Sequence, residues 1–117
     1  MENVIEAKSF AFAVSVVNLT RRMNGAAERA LISQLLRSGT SIGANVSEAQ
    51  QAQSKKDFIA KMSISLKEAN ETRYWLRLLR EVESLSVEDY ETHLQLLDEL
   101  MRILIKILKS SKEAEEK

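Results

Sequence analysis

Leu36-Arg37-Ser38-Gly39-Thr40-Ser41-Ile42-Gly43-Ala44-Asn45-Val46-Ser47-Glu48-Ala49 is the stretch that decides the fold of this chain. Leu31, Leu35, Ser38, Ile42, Asn45 and Ala49 recur at heptad spacing, which puts them on one face of a helix. Yet the segment carries two glycines and a run of small hydroxylic residues where a helix favours Leu, Ala or Glu. Each glycine costs about 1 kcal/mol relative to alanine inside a helix. Close approach of a neighbouring helix offsets that cost, which makes Gly39 and Gly43 close-packing positions. Counting outward from a turn near Gln53, Ser38–Ile42 is expected opposite roughly Ser65–Ala69 of an antiparallel partner. The alternative is a phosphate cradle of backbone amides, but the Gly-Lys-Ser/Thr ending and the preceding strand of a P-loop are both missing.

Working outward, this helix extends from about Ala26 to Gln53. Before it, Ile5, Ser9, Phe12, Val16, Leu19 and Met23 mark a first helix from about Glu2 to Met23. Phe10, Val14 and Val17 form an adjoining apolar stripe. Asn24-Gly25 is expected to end that helix, with the glycine in the left-handed conformation. After it, Ser54-Lys55-Lys56-Asp57 resembles a capping box and opens a third helix that continues to about Val82. Ser86-Val87-Glu88-Asp89 caps a fourth, with Tyr90, Leu94, Leu97, Met101, Leu104 and Leu108 on one face. One unbroken helix from Ala26 to Val82 would be roughly 85 Å long, too long for a domain of this size. Short loops between helices make antiparallel neighbours, so the fold class is all-α, an up-down-up-down four-helix bundle. A single domain is expected over residues 1–112, with a charged tail at 113–117 that frays.

Composition agrees. The 117 residues include no proline and three glycines, where average usage would give about six prolines. The absence of cysteine excludes disulfides, thiolate nucleophiles and Cys-ligated metals. The apolar run Phe10–Val17 lacks the positive flank of a signal peptide, and no stretch approaches the ~18 apolar residues of a membrane span. A cytoplasmic protein without membrane contact is the expectation. Net charge is zero, 17 basic against 17 acidic side chains, unlike the basic excess of dedicated nucleic-acid binders.

The fourth helix has a second apolar stripe, Leu96, Leu100, Ile103 and Ile107, beyond what a bundle core requires. Exposing four such side chains would forgo several kcal/mol, so self-association through this helix, aided by Phe10, Val14 and Val17, is expected. A thicker core that uses both stripes is the other reading.

Polar residues give no catalytic constellation. A di-iron bundle needs two Glu-x-x-His motifs, and the chain has one histidine, His93, expected at the surface or in an interface. No nucleophile–base pair stands out, so no enzyme, cofactor or metal is expected. Lys67 and Glu71, four apart, can pair across a helix turn. Two cationic stripes remain, Arg73, Arg77 and Arg80 on the third helix and Arg102, Lys106 and Lys109 on the fourth. Both suit a helix C-terminus without any ligand, and both could also contact RNA or DNA phosphates.

Taken together, Leu36–Ala49, Ser54-Lys55-Lys56-Asp57-Phe58 and Leu66-Lys67-Glu68-Ala69-Asn70-Glu71-Thr72-Arg73-Tyr74-Trp75-Leu76 closely resemble the small bacterial four-helix-bundle proteins whose founding members are encoded in intervening sequences of the 23S ribosomal RNA gene. The resemblance covers nearly the whole chain. Asn45, Glu48, Asp57, Phe58, Lys67, Glu68, Asn70, Glu71, Thr72, Tyr74 and Trp75 match its signature positions. It implies a closed homo-oligomeric ring, typically a pentamer, and hence a heterologous interface with two patches per subunit. Some relatives are accessory proteins of diversity-generating retroelements that look like basic rings engaging nucleic acid and a reverse transcriptase. The balanced charge of this chain looks more like the ribosomal-RNA branch. The expected function is therefore a non-enzymatic, ring-forming bundle that binds structured RNA or DNA or a nucleic-acid-processing partner. The alternative is a protein–protein interaction scaffold without nucleic-acid affinity.

Overall fold

The computed structural model describes the backbone of residues 3–116 and the side chains of residues 3–114. Four helices follow in order: α1 Val4–Arg22, α2 Arg29–Ala49, α3 Lys55–Glu81 and α4 Val87–Glu116. Among the described residues there is no strand. The expected start of α1 at Glu2 lies outside the described residues. Each helix packs on the next and α1 also meets α4.

Contacts between helices fix their directions. Gly39 and Gly43 of α2 lie against Val16 and Ser9 of α1. Ser38 and Ile42 of α2 meet Thr72 and Ser65 of α3. Arg73 of α3 pairs with Asp98 of α4. Lys8 and Ser15 of α1 meet Glu99 and His93 of α4. Wherever a pair of helices makes two contacts, residue numbers rise on one helix as they fall on the other. The bundle is therefore antiparallel throughout, 50 × 25 × 20 Å overall.

Side-chain caps set three of the helix starts. Asn3 Oδ1 accepts from the Glu6 amide at 3.2 Å, Ser54 Oγ from the Asp57 amide at 3.0 Å, and Ser86 Oγ from the Asp89 amide at 3.0 Å. In each case the oxygen satisfies one of the free donors of the first turn. The Asp57 carboxylate reaches back one residue further than a capping box requires, accepting from the Gln53 amide at 3.3 Å. Helix α2 has no side-chain cap and begins later than Ala26, because residues 26–28 form a turn closed by the Glu28 amide donating to the Gly25 carbonyl at 3.2 Å. It also ends earlier, at Ala49 instead of Gln53, where tight bonds such as Ala52 N–H to Ala49 O at 3.1 Å unwind the chain. Residues 113–116, expected to fray, continue α4.

The left-handed residue is not the expected glycine. No glycine has a positive φ; Glu83, at φ 61°, does. Helix α1 instead leaves through an extended Met23. At the end of α3 the Glu83 amide donates to Arg80 O at 3.0 Å and the Ser84 amide to Leu79 O at 2.9 Å. That is the Schellman arrangement, with glutamate where glycine is preferred. A side chain in the left-handed region costs roughly 1–2 kcal/mol. Glu83→Gly is expected to stabilise the fold by about 1 kcal/mol, read as a higher urea midpoint at unchanged slope; a lower midpoint would contradict the turn.

The core combines apolar and hydroxylic layers. Phe12, Val16 and Leu19 of α1, Leu35, Ile42 and Val46 of α2, Met62, Leu76 and Leu79 of α3, and Leu97, Leu100 and Leu104 of α4 are buried. Buried among them, Ser65 Oγ donates to Ile42 O at 2.9 Å, and Thr72 Oγ1 lies 3.0 Å from Ser38 Oγ. No buried side-chain polar atom among the described residues lacks a partner. The hydroxyls, not the glycines, face α3. A Cβ on Gly39 would stand 2.9 Å from Val16 Cγ1, and one on Gly43 would stand 3.0 Å from the Ser9 carbonyl oxygen. The expected approach of Ser38–Ile42 to α3 near Ser65 is present, but the two glycines themselves pack against α1, a correction to their expected partner. One residue of α-helix turns the side chain by about 100°, which is enough to move it from the α3 flank at Ser38 to the α1 flank at Gly39.

Candidate functional site

Of the residues expected to join subunits, Leu96 and Leu100 line the α1–α4 seam, whereas Phe10 lies on the α1–α2 side, beside Gly43 and Ser47. Phe10 is 70% exposed, Val14 45% and Leu96 39%. Ile103 and Ile107 are half-buried against the core. Leu100 departs from this group: it is buried inside the bundle, 2% exposed. A spacing of four turns a helix by about 400°, so each step rotates the stripe by about 40°, and Leu100 falls inward of Leu96. A cleft of about 170 Å³ follows the seam, lined by Lys8, Ala11, Phe12, Leu96, Glu99 and Leu100. The Lys8 ammonium pairs with the Glu99 carboxylate there and holds it below its ordinary pKa, with Arg102 adding to the effect.

His93, expected at the surface or in an interface, is buried in the same seam inside the bundle, 4% exposed. Its Nδ1 lies 2.8 Å from the Asp89 carbonyl oxygen, which can only accept, so Nδ1 carries the proton. Nε2 then accepts from Ser15 Oγ at 2.8 Å. The Phe12 ring meets the imidazole edge at 6.4 Å between centroids. A serine–histidine couple invites a hydrolytic reading, but both residues are mid-helix, where the backbone amides are already bonded within the turn. No pair of free donors stands near Ser15 Oγ to hold an oxyanion. The couple ties α1 to α4.

The cationic stripes divide. Arg73 pairs with Asp98, and Arg80 Nη1 donates to the Leu85 carbonyl at 2.6 Å, closing the α3–α4 loop. Arg77 is exposed and makes no hydrogen bond or ion pair among the described residues. Arg102, Lys106 and Lys109 are exposed along α4. At 100° per residue, Arg102 and Lys109 lie roughly 100–160° around α4 from Leu96, Ile103 and Ile107, on the side where Asp98 meets α3. Lys106 borders the apolar stripe, about 60° from Ile103.

The signature residues gather on the opposite seam, between α2 and α3, around a residue that sequence reasoning missed. Arg37 donates from Nη1 to Glu68 Oε2 at 3.0 Å, from Nη2 to Glu71, and from Nε to Gln34 Oε1 at 3.1 Å. Trp75 Nε1 donates to Glu71 Oε2 at 2.9 Å. Glu71 therefore bonds to Arg37 and Trp75, where a Lys67 pair was expected; Lys67 contributes only at a distance. The Trp75 N–H, and then Arg37, hold the Glu71 carboxyl below its ordinary value. A lowered carboxylate pKa contributes stability that is whole at neutral pH and fades as pH falls through the carboxylate range. The antiparallel count that pairs Ile42 with Ser65 would have brought Arg37 near Glu71 and found this network.

The remaining signature residues act locally. Asn45 Nδ2 donates to Ser41 O at 2.8 Å and Glu48 is exposed. Asp57 belongs to the α3 cap, and Lys55 lies 6.0 Å from the Phe58 ring centroid. Tyr74 is 57% exposed and stands edge-on to Trp75 at 5.0 Å. Among the described residues no three His, Cys, Asp or Glu side chains are grouped to hold a metal ion. Among the described residues no helix is long and apolar enough to cross a membrane.

Comparison with known proteins gives a family and no activity. The family model for the 23S rRNA-intervening sequence protein matches residues 1–106. A solved structure from Bacteroides thetaiotaomicron, described as a protein of unknown function from the S23 ribosomal protein family, is 50% identical. It superposes with a TM-score of 0.85 over 90% of this chain and 98% of that one. No curated protein matches the chain.

Proposed function

Because this chain belongs to the 23S rRNA-intervening sequence protein family, we propose that it is a non-enzymatic bundle that assembles into a closed ring, five copies as the family resemblance implies, and binds nucleic acid on the ring's cationic face. The observation that carries this reading is the division of the surface. Phe10 and Val14 of α1 and Leu96 of α4 expose apolar area, while Arg102 and Lys109 are exposed on the side of α4 turned toward α3 and Arg77 is exposed on α3 itself. Burying the first in a subunit interface leaves the second free. Repetition around a ring multiplies each phosphate contact by the number of subunits, which compensates for a neutral chain.

The internal bonds of Arg73 and Arg80 favour a second reading, a protein-interaction scaffold without nucleic-acid affinity. Light scattering followed by anisotropy titration with a structured RNA and a duplex DNA, between about 50 and 200 mM salt, separates the two. The proposal expects an oligomer that binds at micromolar concentration or tighter. Binding should weaken steeply with salt and should be lost when Arg102, Lys106 and Lys109 are reversed to Glu without loss of assembly. An intact oligomer with no low-salt binding would support the scaffold, and a monomer would sink the ring.

A further inference from the structure

The outer face of α3 carries a short row of exposed residues of which the phosphate-binding reading uses only Arg77. Lys67, Asn70, Tyr74 and Arg77 follow one another at helical spacing, and all are exposed. They span about 15 Å at 1.5 Å per residue. Tyr74 is the notable member. It offers an aromatic face at 57% exposure, yet it is braced: its ring stands edge-on to Trp75, whose N–H is fixed on Glu71, which Arg37 holds in turn. An aromatic ring already held in place loses little freedom when something stacks on it.

Beyond Tyr74 a groove of about 350 Å³ opens, lined by Tyr74, Arg77, Leu78 and Glu81. Its chemistry selects among ligands. One guanidinium without an internal partner and one aromatic ring can both stack on a flat heterocycle. The Glu81 carboxylate repels a phosphate but accepts from the N–H edge of a base. The groove suits a neutral, planar group with hydrogen-bonding edges, while Lys67 and the cations of α4 suit the backbone on either side.

We infer that Tyr74 and Arg77 form a stacking site for an unpaired nucleobase, so that the nucleic acid taken by this face is a single strand or an unpaired loop. This rests on the proposed nucleic-acid reading and makes it specific. Duplex binding needs only the phosphate contacts, whereas stacking needs a base that is free to turn outward.

The test uses the full chain with two probes, a short unstructured oligouridylate and a duplex of equal length, together with the fluorescence of Trp75, the only tryptophan. The oligouridylate is expected to bind more tightly than the duplex and to change Trp75 emission through Tyr74. Tyr74→Ala should weaken the single strand roughly 5- to 100-fold and leave the duplex unchanged, while Tyr74→Phe keeps both affinities. Equal loss for both probes, or no loss for either, overturns the stacking site and leaves phosphate binding intact. Failure of wild-type protein to bind either probe at low salt overturns the nucleic-acid reading itself. Unchanged circular dichroism in each variant excludes misfolding as the cause.

Discussion

Replacing Gly39 with leucine is expected to lower the unfolding free energy by about 3 kcal/mol. For a domain of this length that moves the thermal midpoint down by roughly 10 °C. The first added atom already meets resistance. A Cβ at this position would lie 2.9 Å from Cγ1 and 3.0 Å from Cγ2 of Val16. Val16 is fully buried and β-branched, with one strongly preferred rotamer in a helix, so it has little room to turn aside. Even Gly39→Ala is expected to destabilise, because the contact outweighs the gain of about 1 kcal/mol in helix propensity. Leucine adds three more carbons that must displace α1 as a whole. Urea denaturation of both variants decides the matter; midpoints at or above wild type would mean that α1 and α2 do not approach closely.

Leu100→Lys is expected to be the most damaging single change on α4. Leu100 lies 2% exposed between the other helices, and a lysine there must bury an unpaired ammonium or lose its charge, at several kcal/mol either way. The variant should show a lost or strongly lowered cooperative transition. Phe10→Lys and Leu96→Lys make the contrast, since both positions already face water. Their helix content and unfolding midpoints should stay within about 0.5 kcal/mol of wild type, while light scattering reports a smaller particle. If Leu100→Lys folds normally, the position of α4 is wrong. If Leu96→Lys leaves the mass unchanged, the α1–α4 face does not join subunits, and if Phe10→Lys does, the outer face of α1 does not.

The helices were legible because their signals are local. Ser54 and Ser86 announce caps through their own side chains, and both make the expected bonds to Asp57 and Asp89. What failed depends on neighbours that the sequence does not place. Gly25 carries the strongest turn signal in the chain, yet the left-handed residue is Glu83, because the five residues between α3 and α4 must reverse the chain whatever side chains they carry. Leu96 and Leu100 lie only about 40° apart in a helical projection, and the position of α1 decides which of the two is enclosed. His93 was misplaced by its polarity. Its spacing to Leu97, Leu100 and Leu104 follows the core pattern, and Ser15 supplies the partner that allows it inside. Arg37 was passed over because its partners Glu68 and Glu71 are distant in sequence.

The hydroxyls between α2 and α3 have a consequence apart from stability. Apolar stripes tolerate sliding: moving α3 by one turn along α2 would bring a similar set of aliphatic side chains together at little cost. Ser65 resists it. Away from Ile42 O its dry hydroxyl would cost about 1–3 kcal/mol, and Thr72, which keeps Glu68 O on its own helix, meets Ser38 Oγ only in the present setting. The pair works as an index mark that favours one axial setting of the two helices. Arg37 and Tyr74, outward of that seam, take their height along the bundle from it.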